Sequence, residues 1–195
     1  MPYIASLYIY FGVDRISVRP ALLKYLLFGL FLAAAYDGKA IQYFVDSSAT
    51  AGANNGTSWF NAYRNLQTAI RAASSGDTLW VADGHYYPGN PGENDAWLDL
   101  KIGVTMLGGF QGLDGAQETS ASQRNHLTNQ TILSGDLDRN GIHSAGDAYH
   151  VVNSTQKDTT AVVDGFIIEM GYAVGPGGHS FGAGIFSFGG GGSYY

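Results

Sequence analysis

The chain has 195 residues, of which 28 are glycine and none cysteine, with 13% charged and 45% hydrophobic residues. That balance excludes global disorder, a charged helical bundle, disulfides and thiolate metal sites, and it suits a β-rich, turn-rich domain with one core. The net charge is −6, and after residue 40 six basic side chains stand against fourteen acidic ones. Such an acidic body repels phosphate backbones and argues against nucleic acid as a partner.

Residues 1–40 read as a secretory signal peptide region. In "RPALLKYLLFGLFLAAAYDGKA", Arg19 and Lys24 precede an apolar run over residues 25–32, and small residues follow. Cleavage is expected after Ala35, with Ala33 two places before it, or after Ala40, with Gly38 two places before it. The run is shorter than the ~20 residues a spanning helix needs, so the mature part carries no membrane-spanning segment. An uncleaved anchoring helix is the competing reading. Residues 1–17 lengthen the basic region unusually, and a true start near Val18 would account for them.

Residues 41–76 read as one strand and one helix. "IQYFVDSS" is a strand of aromatic and β-branched residues that stops at Asp46 and Ser47. Ala62, Tyr63, Leu66, Ala69, Ile70 and Ala73 recur at three- and four-residue spacings and predict an amphipathic helix. Asn61 or Ser58 would cap its start, and Gly76 would end it.

From residue 77 to 188 the pattern changes. Short apolar runs at 78–81, 98–100, 104–107, 131–133, 149–152, 161–163, 166–169 and 184–186 alternate with Gly, Asn and Asp turns. "TLWVADG", "VTMLGGF", "TILSGD" and "VVDGFII" each put a strand directly before Gly or Asp. Recurrence at about 25 residues without hairpin turns predicts a solenoid rather than a β-sandwich. The preceding strand and helix are placed to cover its open end. "HYYPG", after the turn at Asp83 and Gly84, reads as the start of a lateral loop. Residues 189–195 read as a Gly-rich truncated end, and the chain as an N-terminal fragment of a longer protein.

"YFVDSSATAGANNGTSWFNAYRNLQTAIRAASSGDTLWVADGHYYP", followed by "VTMLGGFQG", "TSASQRNHLTNQTILSGDLD", "DAYHVVN" and "VVDGFIIEMGYA", resembles the opening of exported bacterial right-handed parallel β-helix proteins. These have the pectin-lyase-like fold and are similar to the polymorphic outer membrane proteins. The resemblance implies an all-β, right-handed parallel β-helix with an N-terminal strand-plus-helix cap. It also implies export to the bacterial surface or medium, outer membrane included. The fold hosts lyases, hydrolases, adhesins and stalks, so it leaves function open.

The sharpest chemical pattern is "DLDRNGIHSAGD", residues 136–147. Asp136, Asp138 and Asn140 alternate, Gly141 follows, and Asp147 takes the twelfth place. This is the spacing of a calcium loop, with the Ile142 carbonyl as a further ligand. The same residue types also serve any solenoid turn. No catalytic residue is assigned: Lys101, Arg124 and Arg139 are scattered, and His126, His143, His150 and His179 lack metal-site spacing. Trp59, Trp80, Tyr86, Tyr87 and Trp97 are either core residues or a sugar-stacking platform. The leading expectation is a non-catalytic stalk or adhesin-like surface whose partner is a polysaccharide or a host or neighbouring surface. The alternative is a calcium-assisted polysaccharide lyase or a glycosidase whose site lies partly in coils beyond this chain.

Overall fold

The computed structural model describes residues 8–11, 14–17, 39–113, 117–174, 180–189 and 192–195. It comprises two compact units, Met1–Lys39 and Ala40–Tyr195. In the first unit, β1 (Tyr8–Phe11) and β2 (Asp14–Ser17) pair antiparallel, with Ile9 opposite Ile16. The aromatic and β-branched run at 8–11 suits a strand. The expectation that residues 1–17 only lengthen the basic region of a leader does not anticipate this pair of strands. The signal-peptide features at Arg19, Lys24, 25–32, Ala33, Ala35 and Gly38 lie outside the described residues.

The second unit is mostly strand, and its strands pair in parallel. One sheet runs in the order β3 (Gln42–Val45), β4 (Thr78–Ala82), β7 (Thr105–Phe110), β10 (Val162–Asp164), β13 (Ser193–Tyr194). A second holds β5 (Gly84–Tyr86), β8 (Thr131–Ser134) and β11 (Phe166–Glu169). A third holds β6 (Leu98–Asp99), β9 (Val152–Asn153) and β12 (Ile185–Phe186). The chain therefore visits the first, second and third sheets in fixed rotation three times and returns to the first at β13. The steps are unequal: Thr105 to Val162 is about twice Thr78 to Thr105, because long loops follow β7 and β8.

Three apolar ladders explain why the rotation is stable. Leu79, Met106 and Val163 are register partners in the first sheet. Tyr86, Leu133 and Ile168 align in the second, and Leu98, Val152 and Ile185 in the third. All nine belong to or pack against one core. Strand side chains alternate in direction, so β4 turns Leu79 and Val81 into this core and Trp80 and Ala82 to its other face. There Trp80 stacks on Phe110 at 4.6 Å, and Trp59 covers them while its indole N–H donates to the Glu118 carbonyl.

Several boundaries differ from the sequence expectation. The helix α1 spans Leu66–Ala72, with Asn65 as its N-cap accepting from the Thr68 amide at 2.8 Å. Ala62 and Tyr63 precede it, because Tyr63 forms a parallel bridge to Val45 along the β3 edge. Asn61 and Ser58 close a turn upstream instead of capping. Leu66, Ala69, Ile70 and Ala73 enter the main core. The helix end is held by Lys101, whose Nζ donates to the Arg71 and Ala73 carbonyls. Asp77, buried in the turn after it, accepts from the Ile41 and Ser74 amides.

The strand predicted at 104–107 continues to Phe110 through a bulge opposite Val81, where Gly109 has φ +92°. A Cβ at Gly108 would lie 2.5 Å from the Gly165 carbonyl oxygen, so backbone approach demands glycine there. Gly84–Tyr86 is strand β5, not the start of a loop, and β13 lies within the segment read as a Gly-rich end.

Candidate metal centre

The acidic loop leaves β8 at Gly135, whose amide donates to the Glu169 carbonyl at 2.9 Å. A Cβ at Gly135 would meet the Met170 carbonyl oxygen at 2.2 Å, so the exit from β8 must be glycine. The Ala148 amide donates back to the Gly135 carbonyl at 2.8 Å and closes the loop at its base. The Asn94 side-chain amide donates to the carbonyls of Ala145 and Asp147. Asn94 is far away in the sequence, and no local signal marks it.

Within this frame, Asp136, Asp138 and Asp147 each bring one carboxylate oxygen within 4.8 Å of the others, a group that could hold a metal ion. Asp136 and Asp147 are buried and Asp138 is exposed. Asn140 braces the loop: its amide nitrogen donates to Asp138 Oδ2 at 2.8 Å, and its side-chain oxygen accepts from the Ile142 amide at 2.6 Å. The Ile142 side chain is exposed, and the Ile142 amide is held by the Asn140 side-chain oxygen. His143 Nε2 lies 2.8 Å from the Gly171 carbonyl oxygen, and its ring meets Tyr172 edge-on.

The two buried carboxylates differ electrostatically. Burial opposes the charge on Asp136, but hydrogen bonds from the Gly141 and Asn140 amides outweigh it and hold its pKa below the ordinary value. Burial pushes the Asp147 pKa up, and the charges of Asp136 and Asp138 add to that, against a hydrogen bond from the Ser144 amide. Asp147 is 0% exposed, and its Oδ1 has no hydrogen-bond partner. A buried acceptor left in this way costs on the order of 1–3 kcal/mol. A cation among the three carboxylates would supply the missing partner and offset their repulsion.

The other candidate residues are placed as follows. Trp59, Trp80 and Tyr86 are buried in the two cores. Tyr87 and Trp97 are half-buried and line surface cavities. Arg124 pairs with Asp164. His150 is buried and stacks on Phe186 with ring centres 4.6 Å apart. No helix among the described residues is long and apolar enough to cross a membrane. Comparison with family models, curated proteins and solved structures returns no match to this chain.

Proposed function

We propose that residues 41–188 belong to a right-handed parallel β-helix of the pectin-lyase-like type, with β3 and α1 as its N-terminal cap. In this reading it is an exported, non-catalytic part of a bacterial cell-surface or secreted protein, acting as a stalk or adhesin-like binding surface. The observation that carries the reading is the threefold rotation through three parallel sheets, with an apolar ladder in each facing one shared core. Such stacking makes a stiff scaffold, and the loops between strands are free to vary as contact surface. Export rests on the order of basic, apolar and small residues before Ala40.

The ion we assign to the Asp136, Asp138 and Asp147 group is Ca²⁺, which prefers carboxylate and carbonyl oxygens in flexible loops. Its role is structural: it fixes the long loop between β8 and β9. Expression of the complete chain in a bacterium, with fractionation, N-terminal sequencing and assays on acidic and neutral polysaccharides, tests the whole reading. The expected protein is exported, begins at Tyr36 or Ile41, and releases no sugar products. A mature protein that keeps Tyr3 to Tyr10 would overturn export by cleavage, and Asp136-dependent depolymerisation would overturn the non-catalytic role.

A further inference from the structure

Of the six basic residues after residue 40, Arg64, Arg71, Lys101 and Arg139 line two surface cavities beside α1. The larger, of about 630 Å³, has Arg64 and Arg71 with His85, Tyr87 and Arg139 in its lining. The smaller, of about 260 Å³, shares Gln67 and Arg71 with it and adds Trp97 and Lys101, so the two adjoin at α1 and are taken together as one groove.

The charges in this groove are arranged for an outside anion. Arg71 is exposed, and its guanidinium has no hydrogen bond or ion pair among the described residues. Arg64 is steadied by donation from Nε and Nη2 to the Ala49 and Ala51 carbonyls, and its guanidinium has no carboxylate partner among the described residues. Arg139 lies over the Tyr87 ring, 4.8 Å from its centre. Lys101 is tied to the end of α1 and adds positive field. Of the two acids in the lining, Glu93 keeps its charge within the larger cavity, and Asp99 is held by partners outside the smaller one. Glu93 accepts from the Asn90 amide, and Asp99 accepts from Asn153 and faces Lys157 at 3.5 Å. A body with fourteen acids against six bases thus presents a local excess of guanidinium next to the half-buried Trp97. Guanidinium forks match carboxylate and sulfate oxygens, and aromatic faces pack against sugar rings.

We propose that this groove binds an acidic glycan, with its carboxylate or sulfate groups on Arg64, Arg71 and Arg139 and its sugar rings against Trp97. The proposal rests on the reading of the chain as a binding surface and names what that surface holds.

Calorimetric titration of the complete chain tests it with four probes: a uronic-acid oligosaccharide, its carboxyl-reduced neutral counterpart, a sulfated oligosaccharide and a single-stranded oligothymidylate. At least one acidic glycan is expected to bind, more weakly as salt rises, and at least about tenfold more tightly than the neutral counterpart. The carboxylate and sulfate arms identify which group is recognised. Arg71→Gln, on the exposed face of α1, is expected to lose about tenfold in affinity with an unchanged melting temperature, and Arg139→Gln to lose a similar amount. The proposal is overturned by no binding of either acidic glycan at about 1 mM, by equal binding of the neutral one, by unaltered affinity in the Arg71→Gln/Arg139→Gln protein, or by tighter binding of the oligothymidylate. Product analysis of the same mixtures separates the two readings. Cleavage would sink the non-catalytic role while leaving the groove, and absence of both binding and cleavage would sink the groove alone.

Discussion

Asp147 carries the sharpest single-residue consequence. Its carboxyl is fully buried, one oxygen is without a partner, and its pKa lies above the ordinary value. A carboxyl raised in this way stabilises the fold when protonated. That contribution is present below the unfolded value and is lost as pH rises through the folded one. Asp136, with its pKa lowered, works in the opposite sense and loses its contribution as pH falls. Without divalent ions at neutral pH, Asp147→Asn is therefore expected to melt at or above the wild-type temperature, since it removes an uncompensated charge and keeps an oxygen for the Ser144 amide. With calcium at about a hundred times its Kd, the wild type should gain about 2.7 kcal/mol, or about 5–10 °C, and the variant little or nothing. Thermal melts with calcium and with chelator measure both arms, and equal calcium shifts in the two proteins would dismiss the ion site. The sequence displayed the Asp136, Asp138, Asn140 spacing but not the burial of Asp147, whose backbone carbonyl is held by the distant Asn94.

At the scale of elements, α1 shows what periodicity reveals and where it stops. The apolar stripe was legible, and Leu66, Ala69, Ile70 and Ala73 are buried as it implied. The start was misplaced because Ala62 and Tyr63 continue the stripe, while the backbone of Tyr63 is claimed by the edge of β3. Pairing with an exposed strand edge satisfies an N–H and a carbonyl that a longer helix would have left to water. The cap is thus Asn65, and Asn65→Ala is expected to cost about 1 kcal/mol in urea unfolding, whereas Ser58→Ala should leave the helix unaffected. Strand β5 was missed for a related reason. Gly84–Tyr86 contains too few residues for an alternation pattern, and only its pairing with Thr131 to Leu133 makes it a strand.

For the second unit as a whole, the three ladders make stability a property of neighbouring circuits rather than of distant segments. Strands β7 and β8 have partners on both sides, whereas β13, β11 and β12 each have one. Amide hydrogen exchange should then be slowest in β7 and β8 and fastest at Ser193–Tyr194 and Ile185–Phe186. Uniform protection across all three sheets would contradict a stacked architecture.

By itself the sequence determined most of the short strands, their glycine and aspartate punctuation, the apolar stripe of the helix and the carboxylate spacing, since each is written in residues a few places apart. Tertiary structure decided the strand register, the bulge at Gly108 and Gly109, the burial of Asp147 and the gathering of Arg64, Arg71, Lys101 and Arg139. The reason is physical. A parallel pair takes its partner from another circuit of the chain, at a distance set by loop length, and local residue order does not encode that distance.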